Sequence, residues 1–354
     1  MSSSPAEAPI TVLQFGNDAS SVRGGIAAVI RQHLANDDAR LSVSAVPTYD
    51  PSATGHRGRN APFARALRQA LTRRREGVVA HVHVSQGGSL LREGLLAALL
   101  RLRRFPVVVT LHGSSSLTNG RVRFLLTGLV LRCADVAHFL SDAHRDRYAR
   151  LAGRHVVIPN AVEVAPPSEA AKRPDVVFAG VVGPRKGVDL LLTAWESVPS
   201  GDWCLHLYGP PDGDFVVPDD LPGVVVHGEV APAVVQEALA AAAVAVLPSR
   251  EEAFPMFLLE AMAHRCAVVA TDVGGVRELV GDGGVVVPAD DAEALGKELT
   301  RLIGEPDRRA ELAAAAQHRI QERFDAALVR GRWAAVYASM SRRVPATGEE
   351  TAGV

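Results

Sequence analysis

Lysine is nearly missing from this chain, whose 354 residues carry 35 arginines but only Lys172, Lys186 and Lys297. A bias this deep reads as coding bias, and it makes each surviving lysine a position to watch. Cysteine is as scarce. Cys133, Cys204 and Cys266 are odd in number and far apart, which argues against a disulfide framework or a zinc knuckle and leaves them as small core side chains. No run of about 18 uninterrupted apolar residues occurs, so no spanning helix is expected. The first residues lack the positive and apolar regions of a secretory leader, and the expected place is the cytoplasm. Also absent is a G-x-G-x-x-G run directly after the first strand, which argues against hydride chemistry on NAD.

A hydrophobic content of 47% over this length can fill two cores, and two domains are expected. Only the ends, MSSSPAEAP and PATGEETAGV, read as loose tails. Net charge is −1, yet the halves differ: 21 arginines face 11 acids up to Ala165, and 17 basic residues face 28 acids beyond it. Either the first half meets an anionic ligand or surface, or its arginines solvate helix faces.

Short β-rich runs alternate with amphipathic stretches, the pattern of a doubly wound α/β sheet. Ile10 to Phe15 opens as a strand, and Gly24-Gly25 then starts a helix with Ile26, Val29, Ile30, His33 and Leu34 at helical spacing. Two glycines there let backbone N–H groups approach a phosphate, or they simply turn the chain. Strands are expected at Leu41–Val46 and Val78–Val84. Between them, a helix with Phe63, Ala66, Leu67, Ala70 and Leu71 on one face carries Arg65, Arg68, Arg73, Arg74 and Arg75 largely elsewhere. It reads as a helix packed on the sheet or as a lipid-phosphate contact. His81 is expected as a satisfied strand residue, while His83, Ser85 and His112 are placed at strand mouths. Ser141 is expected to cap the helix after the strand Val136–Leu140, and residues 163–174 read as a linker.

The second half restarts with Asp175–Gly180, and Arg185 and Lys186 fall just before a helix from Val188, so that two cations and a helix N-terminus can converge on one diphosphate. Asp290 and Glu293 are expected as a capping box for a helix to Ile303. Phe324, Leu328, Trp333, Val336 and Tyr337 suit a terminal helix. Asp212-Gly213-Asp214 imitates a metal-binding acid motif but sits in a Pro-rich loop and is read as a turn.

The chain is organised around Pro248 to Glu278. The strand Val244–Leu247 ends at Pro248-Ser249, Glu252 follows in the loop, and a helix from Met256 carries Glu260 on its second turn. In open α/β sheets ligands lie outside the strands' carboxyl ends, so both acids can point into one site. The glutamate pair, with the preceding Pro-Ser, Phe254, Leu-Glu-Ala-Met-Ala at 259 to 263 and Gly274-Gly275 before Glu278, resembles the glutamate-x7-glutamate signature of family 4 glycosyltransferases. Pro159-Asn160-Ala161-Val162 is similar to that family's Pro-Asn-Gly-Val run, with Ala161 in place of glycine. Val181 and Pro255 depart from the usual arginine and glycine.

The resemblance implies the GT-B fold: two Rossmann-like doubly wound domains facing a central cleft, with a C-terminal helix crossing back. The first domain, 1–165, would take the acceptor, the second, 174–324, the nucleotide-sugar, and 325–342 would form the crossing helix. It implies retaining transfer from a nucleotide diphosphate sugar, UDP favoured over GDP, in glycan or glycolipid assembly. His112, Glu252, Arg185 and Lys186 are the expected catalytic set, and Gly24, Gly25, Glu260, Phe254, Met256 and Asn160 the donor-binding one. Neither metal nor cofactor is expected, and nucleic acid is not an expected partner. The acceptor is expected to be anionic or lipid-linked, with peripheral contact at the inner membrane face. The alternatives are a soluble natural product as acceptor, a nucleotide-sugar 2-epimerase, or an inactive donor-binding subunit.

Overall fold

A computed structural model describes residues 8–19, 24–50, 53–113, 120–164 and 171–341. Residues 1–7 and 345–354 of the expected tails and the middle of the 163–174 linker lie outside the described residues. The chain divides into two compact units: residues 1–140, 145–158 and 329–354 form the first, and residues 141–144 and 159–328 the second.

The first unit is built on six parallel strands, β1 (Ile10–Asn17), β2 (Leu41–Tyr49), β3 (Val78–Val84), β4 (Val107–Leu111), β5 (Val136–Phe139) and β6 (His155–Val157), in the order β2-β1-β3-β4-β5-β6. Helices α1 (Gly25–Leu34), α2 (Gly55–Thr72), α3 (Gly88–Leu102), α4 (Arg121–Arg132) and α5 (Asp142–Tyr148) connect them. Every residue of β3 and β4 is buried, as β-branched runs must be when helices cover both faces of a parallel sheet. Phe15, Val82, Leu96, Leu111 and Phe139 fill this core.

The second unit repeats the plan with a different order. Its strands are β7 (Arg173–Ala179), β8 (Cys204–Tyr208), β9 (Val224–Gly228), β10 (Ala242–Leu247), β11 (Ala267–Thr271) and β12 (Gly284–Val287), all parallel, ordered β12-β11-β10-β7-β8-β9. Helices α6 (Val188–Glu196), α7 (Pro232–Ala241), α8 (Met256–Ala263), α9 (Val276–Val280), α10 (Ala292–Gly304) and α11 (Pro306–Arg319) complete it. A short π-helix at Ile320–Phe324 leads into α12 (Ala326–Ser341), and from Val329 onward the chain belongs to the first unit. The chain winds outward in both directions from β1/β3 in one unit and from β7/β10 in the other. Each such switch point opens a crevice at the strands' carboxyl ends.

Ser141 caps α5, its Oγ accepting the His144 N–H at 3.1 Å. The capping box at Asp290 is corrected by one residue: Asp291 Oδ1 accepts the Ala294 N–H at 2.8 Å, because Asp290 sits at φ 58° and turns its carboxylate elsewhere. The linker is also shorter than expected, since β7 begins at Arg173, with Pro174 tolerated at the strand's start. Among the described residues, no helix is long and apolar enough to cross a membrane.

Candidate functional site

In the second unit the loops leaving β7 and β10 meet at the switch point. Gly183–Val188 makes a tight turn through a short 3-10 segment at Pro184–Lys186 and starts α6. Lys186 Nζ lies 2.5 Å from Glu252 Oε1, and both side chains are largely buried. The fully buried Ser249 donates its hydroxyl to the same oxygen at 2.7 Å. Both contacts converge on Oε1, and neither uses Oε2. An ammonium has three donors, so the pair leaves Lys186 with hydrogens to offer an anion. Glu260 stands half-buried on α8, one helix further on.

Arg250 joins the two loops. Its guanidinium grips Asp189 of α6 in a fork, at 2.7 and 2.9 Å, and donates to Asp290 Oδ1 at 2.6 Å and to the Pro184 carbonyl. Its own N–H donates to the Arg185 carbonyl at 3.1 Å. Bidentate arginine–carboxylate pairs fix geometry as well as charge. Two glycines make the approach possible. A Cβ on Gly187 would lie 1.9 Å from the Pro248 carbonyl oxygen, and one on Gly274 would lie 1.9 Å from that of Glu252. The Gly274-Gly275 turn therefore packs directly on the Glu252 loop, where the Gly275 N–H donates to Ala253 O at 3.1 Å.

In the first unit a chain of buried polar groups crosses the sheet at the β1/β3 switch point. His138 Nε2 lies 2.7 Å from the Ile158 carbonyl, which can only accept, so Nε2 carries the hydrogen. In the neutral ring Nδ1 then accepts from the Thr110 hydroxyl at 2.8 Å. Thr110 must in turn accept from His81 Nε2 at 2.6 Å, and His81 Nδ1 accepts from the Tyr337 hydroxyl at 2.8 Å. Tyr337 accepts from the Gln14 amide at 3.0 Å, whose other hydrogen reaches His33 Nδ1 at 2.9 Å. Gln14 Oε1 accepts from His83 Nε2 at 2.6 Å, which leaves His83 Nδ1 to accept from His112 Nε2 at 2.8 Å. Reversing any link would place a second hydrogen on buried His138. One carbonyl thus sets the tautomers along the chain as far as the hydrogen on His112 Nε2.

Burial brings His33 from the ordinary 6.5 to about 4. Burial, and then the neighbouring histidines, holds His81 and His83 well below their usual range. His33, His81 and His83 each bring a nitrogen within 4.8 Å of the others, close enough for a metal ion. Both nitrogens of His81 and of His83 are already in hydrogen bonds, however, so an ion would have to dismantle the chain. Such rings have a consequence for stability. Below about pH 6.5 unfolded histidines take up protons that the folded ones refuse, so the unfolded state binds more protons and stability falls with pH. The thermal midpoint should therefore drop steadily from about pH 6.5 toward 4. A level midpoint across that window would contradict the burial of neutral histidines.

The structure brings Lys186, Glu252 and the start of α6 together, and holds Arg185 beside them with its side chain exposed. Asn160 is buried and donates to the Phe254 carbonyl at 2.9 Å, while the Phe254 ring packs 5.7 Å from Phe324. These two residues shape the loop from inside. Met256 opens α8 after Pro255, and Gly24 and Gly25 open α1. Asp212 packs against Gly183, where an added Cβ would lie 2.4 Å from its own. His83 is corrected: it is 1% exposed, inside the relay, and not at the mouth with His112. Sequence reasoning missed Arg250, although an arginine directly behind Pro248-Ser249 was the available signal.

Two family profiles cover most of the chain: "Glycosyl transferases group 1" at residues 173–305 and "Glycosyl transferase 4-like domain" at residues 12–161. The chain is similar to a phosphatidyl-myo-inositol mannosyltransferase of Mycolicibacterium smegmatis, 31% identical over 305 residues, which is 78% of this chain and 76% of that relative. Among solved structures it shares its fold with sucrose-phosphate synthase from Thermosynechococcus elongatus (TM-score 0.76, 20% identity, 94% of this chain and 100% of that one). It shares the fold also with Anabaena HepE in complex with UDP-glucose (TM-score 0.68, 18% identity, 93% of this chain and 99% of that one).

Proposed function

Since this chain belongs to the family 4, group 1 glycosyltransferases and has the GT-B fold, we propose that it transfers a sugar, with retained configuration, from a UDP-sugar to an anionic, lipid-linked acceptor hydroxyl. The observation that carries the reading is the Lys186–Glu252 pair at the β7/β10 switch point. Breaking the anomeric bond puts positive charge on the sugar and negative charge on the leaving diphosphate. A lysine whose carboxylate partner uses only part of its donor capacity supplies fixed positive charge for the phosphates, which is worth most where water is scarce. In this reading Glu252 holds donor-sugar hydroxyls through Oε2, Glu260 holds the ribose, and Arg185 and the amides at Gly24 and Gly25 add to the phosphate field. His112 is assigned to a donor-sugar hydroxyl. No carboxylate is assigned as a covalent nucleophile, and the leaving phosphate serves as base on the sugar's front face. No metal is invoked, since Lys186 and Arg185 supply the charge a cation would.

UDP is favoured because HepE was solved with UDP-glucose, and a lipid acceptor because the Mycolicibacterium relative is named for one. The test is a panel of UDP- and GDP-sugars read by thermal shift, then by transfer with and without chelator. Stabilisation by a UDP-sugar and chelator-resistant transfer are expected. Loss of activity restored by magnesium or manganese would overturn metal independence. Epimer formed from donor alone, or tight binding without transfer to any acceptor, would replace the reading with an epimerase or a binding subunit. Glu260→Ala should raise KM for the donor with a small change in kcat, because ribose contacts act alike in ground and transition states. A collapsed kcat at unchanged KM would contradict that role.

A further inference from the structure

Helices α3 and α4 bury one face each and leave apolar residues on the other. Leu91, Leu95 and Leu102 follow one stripe of α3, and Val122, Leu125 and Leu129 one stripe of α4, each 58 to 81% exposed. With Phe124 they make seven of the thirteen large hydrophobics exposed among the described residues, so the exposed apolar surface is concentrated here. The two helices pack closely: a Cβ on Gly94 would lie 2.6 Å from the Val130 side chain, so the stripes belong to one surface. A surface helix of a soluble protein ordinarily turns charge outward, and a helix apolar all round is normally covered.

Within the two helices and their connection the charges are nearly all of one sign, and the acid just beyond, Asp135, lies 3.7 Å from Arg101. Between Gly88 and Arg132 there are seven arginines and one acid, Glu93, and that acid is buried with its carboxylate 2.9 Å from Arg92. Arg101, Arg103 and Arg104 close the end of α3, while Arg121 and Arg123 open α4. An apolar strip framed by an excess of arginine complements an anionic lipid surface, whose headgroups take the guanidinium groups and whose acyl boundary takes the leucines. A second protein copy would bring the same arginines against each other.

We propose that the α3–α4 face is the surface by which this protein docks on an anionic bilayer. The proposal deepens the lipid-acceptor reading and rests on it only for the acceptor's identity. Docking here relies on leucine insertion as much as on charge. The basic helix α2 differs in turning Phe63, Ala66, Leu67 and Ala70 to the core, with Leu71 as its exposed large hydrophobic residue.

The experiment is co-sedimentation of the full chain with phosphatidylcholine vesicles, with and without phosphatidylglycerol, at low and high salt. Donor-induced thermal shift is read on the same preparations, so failure of docking and failure of the donor site are seen separately. Wild type should pellet with the anionic vesicles and far less with the neutral ones, with salt weakening the binding. Leu91→Ser/Leu95→Ser and Leu125→Ser/Leu129→Ser should each lower partitioning more than about tenfold. Arg121→Gln/Arg123→Gln should lower it roughly five-fold per charge. All three should keep the wild-type unfolding midpoint. Wild type remaining in the supernatant, equal pelleting on both lipids, or serine variants that pellet like wild type would each overturn the proposal. So would a dimer of the purified protein that the serine changes dissociate, or loss of binding on Arg73→Gln/Arg74→Gln/Arg75→Gln alone.

Discussion

Lys186→Ala is expected to lower kcat by about 10²-fold, the usual effect of removing one charged donor from a leaving group in a water-poor site. The pair geometry makes the experiment sharper than a single substitution. Lysine loss also strands the Glu252 carboxylate, which then keeps only the Ser249 hydroxyl, and a buried acceptor short of a partner costs about 1 to 3 kcal/mol. The two effects separate on a second variant. Lys186→Met/Glu252→Gln removes both charges at similar size, so the thermal midpoint should recover most of its loss while turnover stays low. Turnover near wild type in Lys186→Ala would sink the assignment. Recovery of turnover in the double variant would show that Lys186 serves only to neutralise Glu252.

Gly187→Ala should be among the most damaging small substitutions in the protein. Gly187 sits at φ 70° and Gly213 at φ 60°, so alanine at either meets similar backbone strain, about 1 to 2 kcal/mol. Only their surroundings differ. Around Gly213 nothing lies within 4 Å of an added Cβ, whereas at Gly187 the Pro248 carbonyl oxygen would be 1.9 Å away. The β7 and β10 loops would have to part, breaking the Arg250 contacts to Asp189 and Pro184 and moving Lys186 from Glu252. A total cost of about 4 kcal/mol or more is expected, with donor affinity lost as well. The readout is the difference in thermal midpoint and donor KM between Gly187→Ala and Gly213→Ala. Equal effects would mean that the close approach is not held in solution.

What the sequence showed in advance depended on distance along the chain. Strand β3 and the start of α8 fell where a short apolar run and the Met256 helix signal placed them, because strand limits and helix starts are local. The scarcity of lysine was also informative. Lys186 stands at the site, and Lys172 donates to three carbonyls, of Leu239, Ala240 and His264, at 2.7 to 3.0 Å, while Lys297 makes an exposed pair with Glu293. Interactions between distant segments were invisible. His83 looked like a mouth residue because it follows an apolar alternation, and only the fold reveals Gln14 and His112 on either side of it. Arg250 finds Asp189 61 residues away and Asp290 40 away, spacings with no periodic signature. The capping error had a smaller cause: two adjacent aspartates offer the same chemistry, and the choice of Asp291 follows from the path of the preceding turn.

The relay in the first unit is closed by Tyr337, which follows His81 by 256 positions. A ribosome delivers β1 to β6 first and then about 170 residues of the second unit before Val329 and the rest of α12 emerge. At roughly 5 to 20 residues per second that interval lasts on the order of ten seconds. Throughout it the nascent sheet carries His81 and Gln14 without the hydroxyl that joins them, and without the Trp333 ring that covers His81 and His138. The N-terminal half therefore lacks these two side chains while it is the only half made. Its buried polar chain closes only when α12 arrives.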